Sequence, residues 1–201
     1  MAGKVTSYLI ANKTIDEVDR EIYSYGLKQG VIMLLQTFSV LVIGIVWGMW
    51  WQSVLFIFSY TPLRLSSGGI HANRQWLCFV CTVLHAGLVL LIIKFIACSD
   101  LTVISVIAVS TLIILFLAPV EDKNKPFDEA ERKIFKKRTI IMLAVELSAV
   151  VILILVGLNE AAKCIAVTHA SLSIMVIAGA VKNKIQSHGN DKPVAAEADF
   201  K

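Results

Sequence analysis

His71 and Cys78 stand seven positions apart in the run Thr61-Pro62-Leu63-Arg64-Leu65-Ser66-Ser67-Gly68-Gly69-Ile70-His71-Ala72-Asn73-Arg74-Gln75-Trp76-Leu77-Cys78. These are the parts of a nucleophilic site. A thiol at its ordinary pKa of about 8.5 is mostly protonated at neutral pH, and a neighbouring imidazole takes the proton and stabilises the ion pair. Cys78 would be the nucleophile and His71 its base. If a helix begins near Asn73, Cys78 falls in its first turns, where unpaired amide groups favour a thiolate. Gly68 and Gly69 allow the backbone to turn back and offer amides to an oxyanion. Arg64 suits a carboxylate, of the substrate or of a neighbouring loop. A plainer reading fits the same residues, because cysteine is common in apolar helices, interfacial histidines often serve as anchors, and this spacing alone is a weak signal.

Two other chemistries use overlapping residues. Cys78, Cys81 and His85 fall at i, i+3 and i+7 on one helix face, and with His71 they would make four ligands for zinc, although that spacing is not a common zinc pattern. Cys78-x2-Cys81 also has the form of a redox dithiol. Glu146 and His169 are ionisable residues inside apolar runs, as a proton or ion relay in a small transporter would need. Alternatively, Glu146 pairs with a buried group such as His85, or lines a cavity beside Cys78. Cys98 and Cys164 suit packing.

The elements that hold these residues are legible from composition. Of the 201 residues, 57% are hydrophobic and 17% charged, with a mean hydropathy of +0.74. A soluble domain of this size carries about a quarter charged residues. Here the apolar residues form runs near the length of a bilayer crossing, which predicts an all-α bundle of about six short spans with interfacial amphipathic helices. The expected spans are about 31–47, 50–65, 76–97, 101–118, 139–158 and 161–181. The run 31–60 would reach about 45 Å as one helix, well past the hydrocarbon thickness, and Gly44, Trp47, Gly48, Trp50, Trp51 and Gln52 interrupt it, so a hairpin with tryptophans in the headgroup belt is expected. With six spans and both termini cytoplasmic, all of the 19 Lys and Arg residues except Lys94 and Lys163 fall on the inner side. Five spans would scatter them over both faces. Gly44 and Gly48, four apart, suit close helix packing within the chain or in a homodimer.

Residues 1–30 show no cleavable secretory signal and are expected to form a cytoplasmic amphipathic segment, with Thr14 and Glu17 at capping-box spacing and Ile15, Val18, Ile22 and Tyr25 on one side. Residues 31–184 form the membrane domain. After Pro126 a second amphipathic piece sets Phe127, Ala130, Ile134 and Phe135 against Glu131, Arg132, Lys133, Lys136 and Lys137, whose charge suits anionic lipid. Residues 185–201 are expected to be a polar, disordered tail. There is no nucleotide-binding glycine motif, and neither a cofactor nor a nucleic acid is expected.

The pattern Arg64-x4-Gly69-x-His71-x6-Cys78, set between short spans in a basic chain, resembles the AgrB family of membrane-embedded cysteine endopeptidases of bacterial quorum sensing. Ala118-Pro119-Val120-Glu121, followed by Lys125-Pro126, is similar to that family's segment after the fourth span. The resemblance implies that His71 and Cys78 are the catalytic pair and that Arg64 and Gly69 support it. It also implies a substrate: an AgrD-like precursor peptide, cut on the C-terminal side of its signal sequence and closed through a thioester on Cys78 into a thiolactone or lactone. The active site would lie near the cytoplasmic face of the cell membrane.

Overall fold

The computed structural model describes residues 2–12, 14–69, 75–121 and 127–190. Among them the chain forms helices α1 (Ala2–Ala11), α2 (Arg20–Val46), α3 (Trp50–Ser67), α4 (Gln75–Phe95), α5 (Asp100–Leu117), α6 (Glu129–Leu155) and α7 (Asn159–Asn190), with a 3-10 turn at Glu17–Asp19 and no strand. Five of these, α2 and α4 to α7, are long and apolar enough to cross a membrane. The molecule is an all-α membrane bundle. The more polar α3 is not among the five, and it packs inside the bundle against α2, α6 and α7 with Ser53, Ser59, Ser66 and Ser67 buried.

The long first apolar run breaks where its glycine and tryptophans predict. Gly48 has φ +71, its N–H donates to Ile45 O (3.1 Å), and Met49 N–H donates to Gly44 O (2.6 Å). Gly157 (φ +83) repeats this closure between α6 and α7, with Leu158 N–H on Leu153 O (2.8 Å). A left-handed residue after the last helical turn satisfies the orphan carbonyls and turns the chain back, which glycine does without a Cβ penalty. Gly44 is buried against Ser53, where any Cβ would overlap the serine hydroxyl, so it serves packing within the chain. Trp47 packs against the core, whereas Trp50 is exposed. Lys94 Nζ donates to Trp47 O (3.0 Å), capping the end of α2 from α4.

Three expectations about the ends of elements need correction. The capping box at Thr14 and Glu17 does not form, because Glu17 pairs with Arg20 (2.7 Å), whose other nitrogen reaches Ser7 Oγ (3.0 Å), and α2 begins only at Arg20. Of the apolar residues at helical spacing there, Ile15 is buried and Val18, Ile22 and Tyr25 are exposed. The second amphipathic piece is not separate from the fifth span. Asp128 and Glu131 form a capping box that starts one 27-residue helix, about 40 Å long, whose basic first turns continue directly into its apolar part. Finally, α7 extends to Asn190, into the segment read as a tail; residues 191–201 lie outside the described ones.

The bundle is organised around α7, which packs against α3, α4, α5 and α6. Leu63, Leu90, Ile114, Leu172 and Val176 are fully buried in the main core, and Val103, Ile107, Val150 and Ala166 form a second cluster between α5, α6 and α7. Packing of this kind, with small residues and polar contacts, replaces the hydrophobic effect as the cohesive force between helices in lipid.

Candidate active site

The last turn of α3 builds one wall. Arg64 Nη1 donates to Gly68 O, while Gly68 N–H donates to Arg64 O (3.2 Å), so the guanidinium and the chain reversal lock each other. Gly68 has φ +72 and Gly69 φ +128. A Cβ on Gly68 would overlap Val120 O, and one on Gly69 would overlap Arg64 Nη1. Both positions therefore require glycine for backbone angle and for space. Because the Gly68 amide is used by Arg64 O, it is not available to an oxyanion.

The Ala118–Glu121 stretch closes on this turn. Val120 N–H donates to Ser67 O (2.9 Å), and Gly68 and Val120 form an isolated parallel bridge. Glu121 pairs with Arg132 of α6, accepts Phe127 N–H (3.4 Å), and receives Asn183 Nδ2 of α7 on its carbonyl (2.7 Å). The two stretches that carried the family resemblance, far apart in sequence, are thus joined at Ser67–Gly68 and Val120. Lys125 and Pro126 lie outside the described residues.

The opposite wall is α4. Cys78 is half-buried in its first turn, where the N–H groups of Gln75 to Cys78 have no partner earlier in the helix and their dipoles favour negative charge. Thr82 Oγ1 bonds Cys78 O (2.8 Å). Between α2, α3, α4 and Met175 of α7 lies a cavity of about 270 Å³, lined among others by Tyr60, Arg64, Cys78, Cys81, Thr82 and His85. The structure thus brings Arg64 and Cys78 to one space, with Gly69 beside Arg64. His71 lies outside the described residues, in the connection between Gly69 and Gln75.

The remaining ionisable residues are arranged differently from what was expected. Glu146 pairs with His169 of α7 and accepts Ser59 Oγ (2.8 Å), instead of meeting His85. His85 stands against the Tyr60 ring, with centroids 5.5 Å apart. Sequence reasoning named Glu146 and His169 together as a candidate relay but not their direct contact or Ser59, because these residues are 87 and 23 positions apart and no local pattern joins them. Among the described residues, no three of His, Cys, Asp and Glu are placed to hold a metal ion.

Fold and site together define a polytopic helical membrane protein with a cysteine lining a cavity between its helices. The family model described as Accessory gene regulator B (AgrB) matches residues 2–177. The chain belongs to the AgrB family, and with it to the system that processes accessory-gene-regulator autoinducer peptides. It is similar to AgrB-like protein 2 of Clostridium perfringens strain 13, at 28% identity over 77% of this chain and 78% of that one. It is also similar to an AgrB-like protein of strain SM101, at 25% identity over 76% and 78% of the two chains. No solved structure matches the chain significantly.

Proposed function

We propose that this protein is a cysteine endopeptidase that cuts an AgrD-like precursor and passes its acyl group through Cys78. The observation that carries the reading is the position of Cys78, at the N-terminal turn of α4 and on a cavity whose facing wall bears Arg64. His71 takes the thiol proton, and the thiolate attacks a peptide carbonyl of the precursor. The C–N bond breaks, the C-terminal fragment leaves as an amine with the proton from His71, and a peptidyl thioester remains on Cys78. An internal Cys or Ser of the precursor then attacks this thioester, closing a thiolactone or lactone and returning its proton through His71. Arg64 and Gly69 support the site by holding its wall.

A membrane-enclosed cavity suits this chemistry. Water at about 55 M competes for the thioester, so ring closure needs a nucleophile held at high effective concentration and water kept out. The site is proposed to open toward the cytoplasmic face, where most basic residues gather. The test is co-expression with a precursor and mass spectrometry of the product. Native protein yields the shortened, cyclised peptide, and His71→Ala and Cys78→Ala yield none while inserting normally. Unchanged processing by Cys78→Ala would refute the mechanism.

A further inference from the structure

A second concavity is lined by different elements from this cavity. It is a groove of about 640 Å³ between the end of α5 and the first half of α6, and it shares no lining residue with the Cys78 cavity. Its walls divide into two chemistries. Phe116, Leu117, Ile140 and Ile141 are all exposed apolar side chains, on helices long and apolar enough to cross the membrane. Above them stand Arg132, Lys133, Lys136 and Lys137.

Two of those cations are already used by the protein. Arg132 pairs with Glu121, and Lys136 donates to Leu115 O and to Ala118 O (2.9 Å). Lys133 and Lys137 are exposed and make no ion pair among the described residues. They lie four apart on α6, with Ile140 and Ile141 continuing the same face toward the apolar part of the helix. The carbonyls that end α5 offer little to an extended peptide, because Lys136 takes those of Leu115 and Ala118, and Ala118 N–H takes that of Ile114 (2.8 Å). What the groove presents is two positive charges without an ion-pair partner among the described residues at one end and an exposed hydrocarbon-like surface at the other.

We infer that the groove between α5 and α6 is a specific site for an anionic phospholipid, its headgroup phosphate on Lys133 and Lys137 and its acyl chains along Phe116, Leu117, Ile140 and Ile141. The charge complements a headgroup at the membrane surface, and the apolar floor needs no hydrogen bonds from its occupant. The inner wall of the site is Ala118–Pro119, the segment whose next residue, Val120, holds Ser67.

The test titrates the purified full-length protein, in mild detergent, with phosphatidylglycerol or with phosphatidylcholine of the same chains, and counts bound lipid by native mass spectrometry. Phosphatidylglycerol is expected to bind about tenfold more tightly, and Lys133→Gln/Lys137→Gln to bring it down to the phosphatidylcholine level. Lys28→Gln, an exposed charge on α2, leaves binding unchanged. Both groove lysines are exposed, so the variant keeps its fold, as thermal unfolding will register. Equal binding of the two lipids by native protein overturns the inference, as does a loss with Lys28→Gln equal to that with Lys133→Gln alone. Displacement of phosphatidylglycerol by an acidic precursor peptide that needs the same two lysines would assign the groove to the peptide instead. The readout does not depend on cleavage, so it stands or falls separately from the protease reading.

Discussion

Helix α3 takes part in two polar clusters of opposite character. At its middle, Ser59 and His169 both meet one carboxylate oxygen of Glu146, and among the described residues the buried His169 Nδ1 has no hydrogen-bond partner. At its end, Arg64, locked to the Gly68 carbonyl, lines a cavity that Cys78 also lines from α4. The first cluster is closed. Buried polar groups in an apolar medium need partners, and Glu146 finds its partners on α3 and α7, so the trio ties three helices together. The second is open, with a cavity between its two walls. Ionisable residues within a membrane therefore do not all mark one function; whether a cluster is closed or open distinguishes a tie from a site.

The largest expected effect falls on the open cluster. Cys78→Ala is expected to lower peptide processing by at least about a thousandfold, measured as cyclised product, with no loss of thermal stability. The closed cluster should behave in the opposite sense. Glu146→Ala strands His169 and removes the acceptor of Ser59, costing about 3 kcal/mol in reversible unfolding, and Glu146→Gln, which keeps an acceptor, costs less. If Glu146→Ala were stable but unable to process peptide, the division between tie and site would break.

Smaller effects sharpen the boundary of the open cluster. Gly68→Ala forces a Cβ against the Val120 carbonyl at φ +72, and is expected to cost about 2 kcal/mol and to slow processing while Cys78 still reacts with a maleimide. Cys81→Ala, at an exposed position on the same cavity, is expected to leave processing within about twofold of native. A complete loss there would favour the metal or dithiol chemistry that Cys78, Cys81 and His85 also allow.

Much of the fold could be read from the sequence because lipid imposes it. The all-helical class follows from apolar runs near the length of a bilayer crossing, and the break between Val46 and Trp50 follows from a run too long for one crossing with Gly48 inside it. The position of Cys78 at a helix start was equally legible, since Asn73 and Arg74 mark the end of a polar loop. Element ends were less so. The carboxylate of Glu17 is drawn to Arg20, and the Asp128–Glu131 box starts α6 well outside its apolar run. What the sequence could not supply were pairings across helices. Glu146 with His169, and Val120 with Ser67, depend on which faces meet, and apolar all-round helices carry almost no periodic signal for that.

The central claim is that Cys78 carries the acyl group between cleavage and ring closure. A precursor whose internal nucleophile is replaced by alanine cannot close the ring, so the thioester should accumulate. Intact-protein mass spectrometry of the acid-quenched mixture is then expected to show an adduct equal to the precursor's N-terminal portion, mapped to Cys78, released by hydroxylamine and absent from Cys78→Ala. Release of the C-terminal fragment at the native rate with no such adduct, or with the adduct on another residue, would contradict the account.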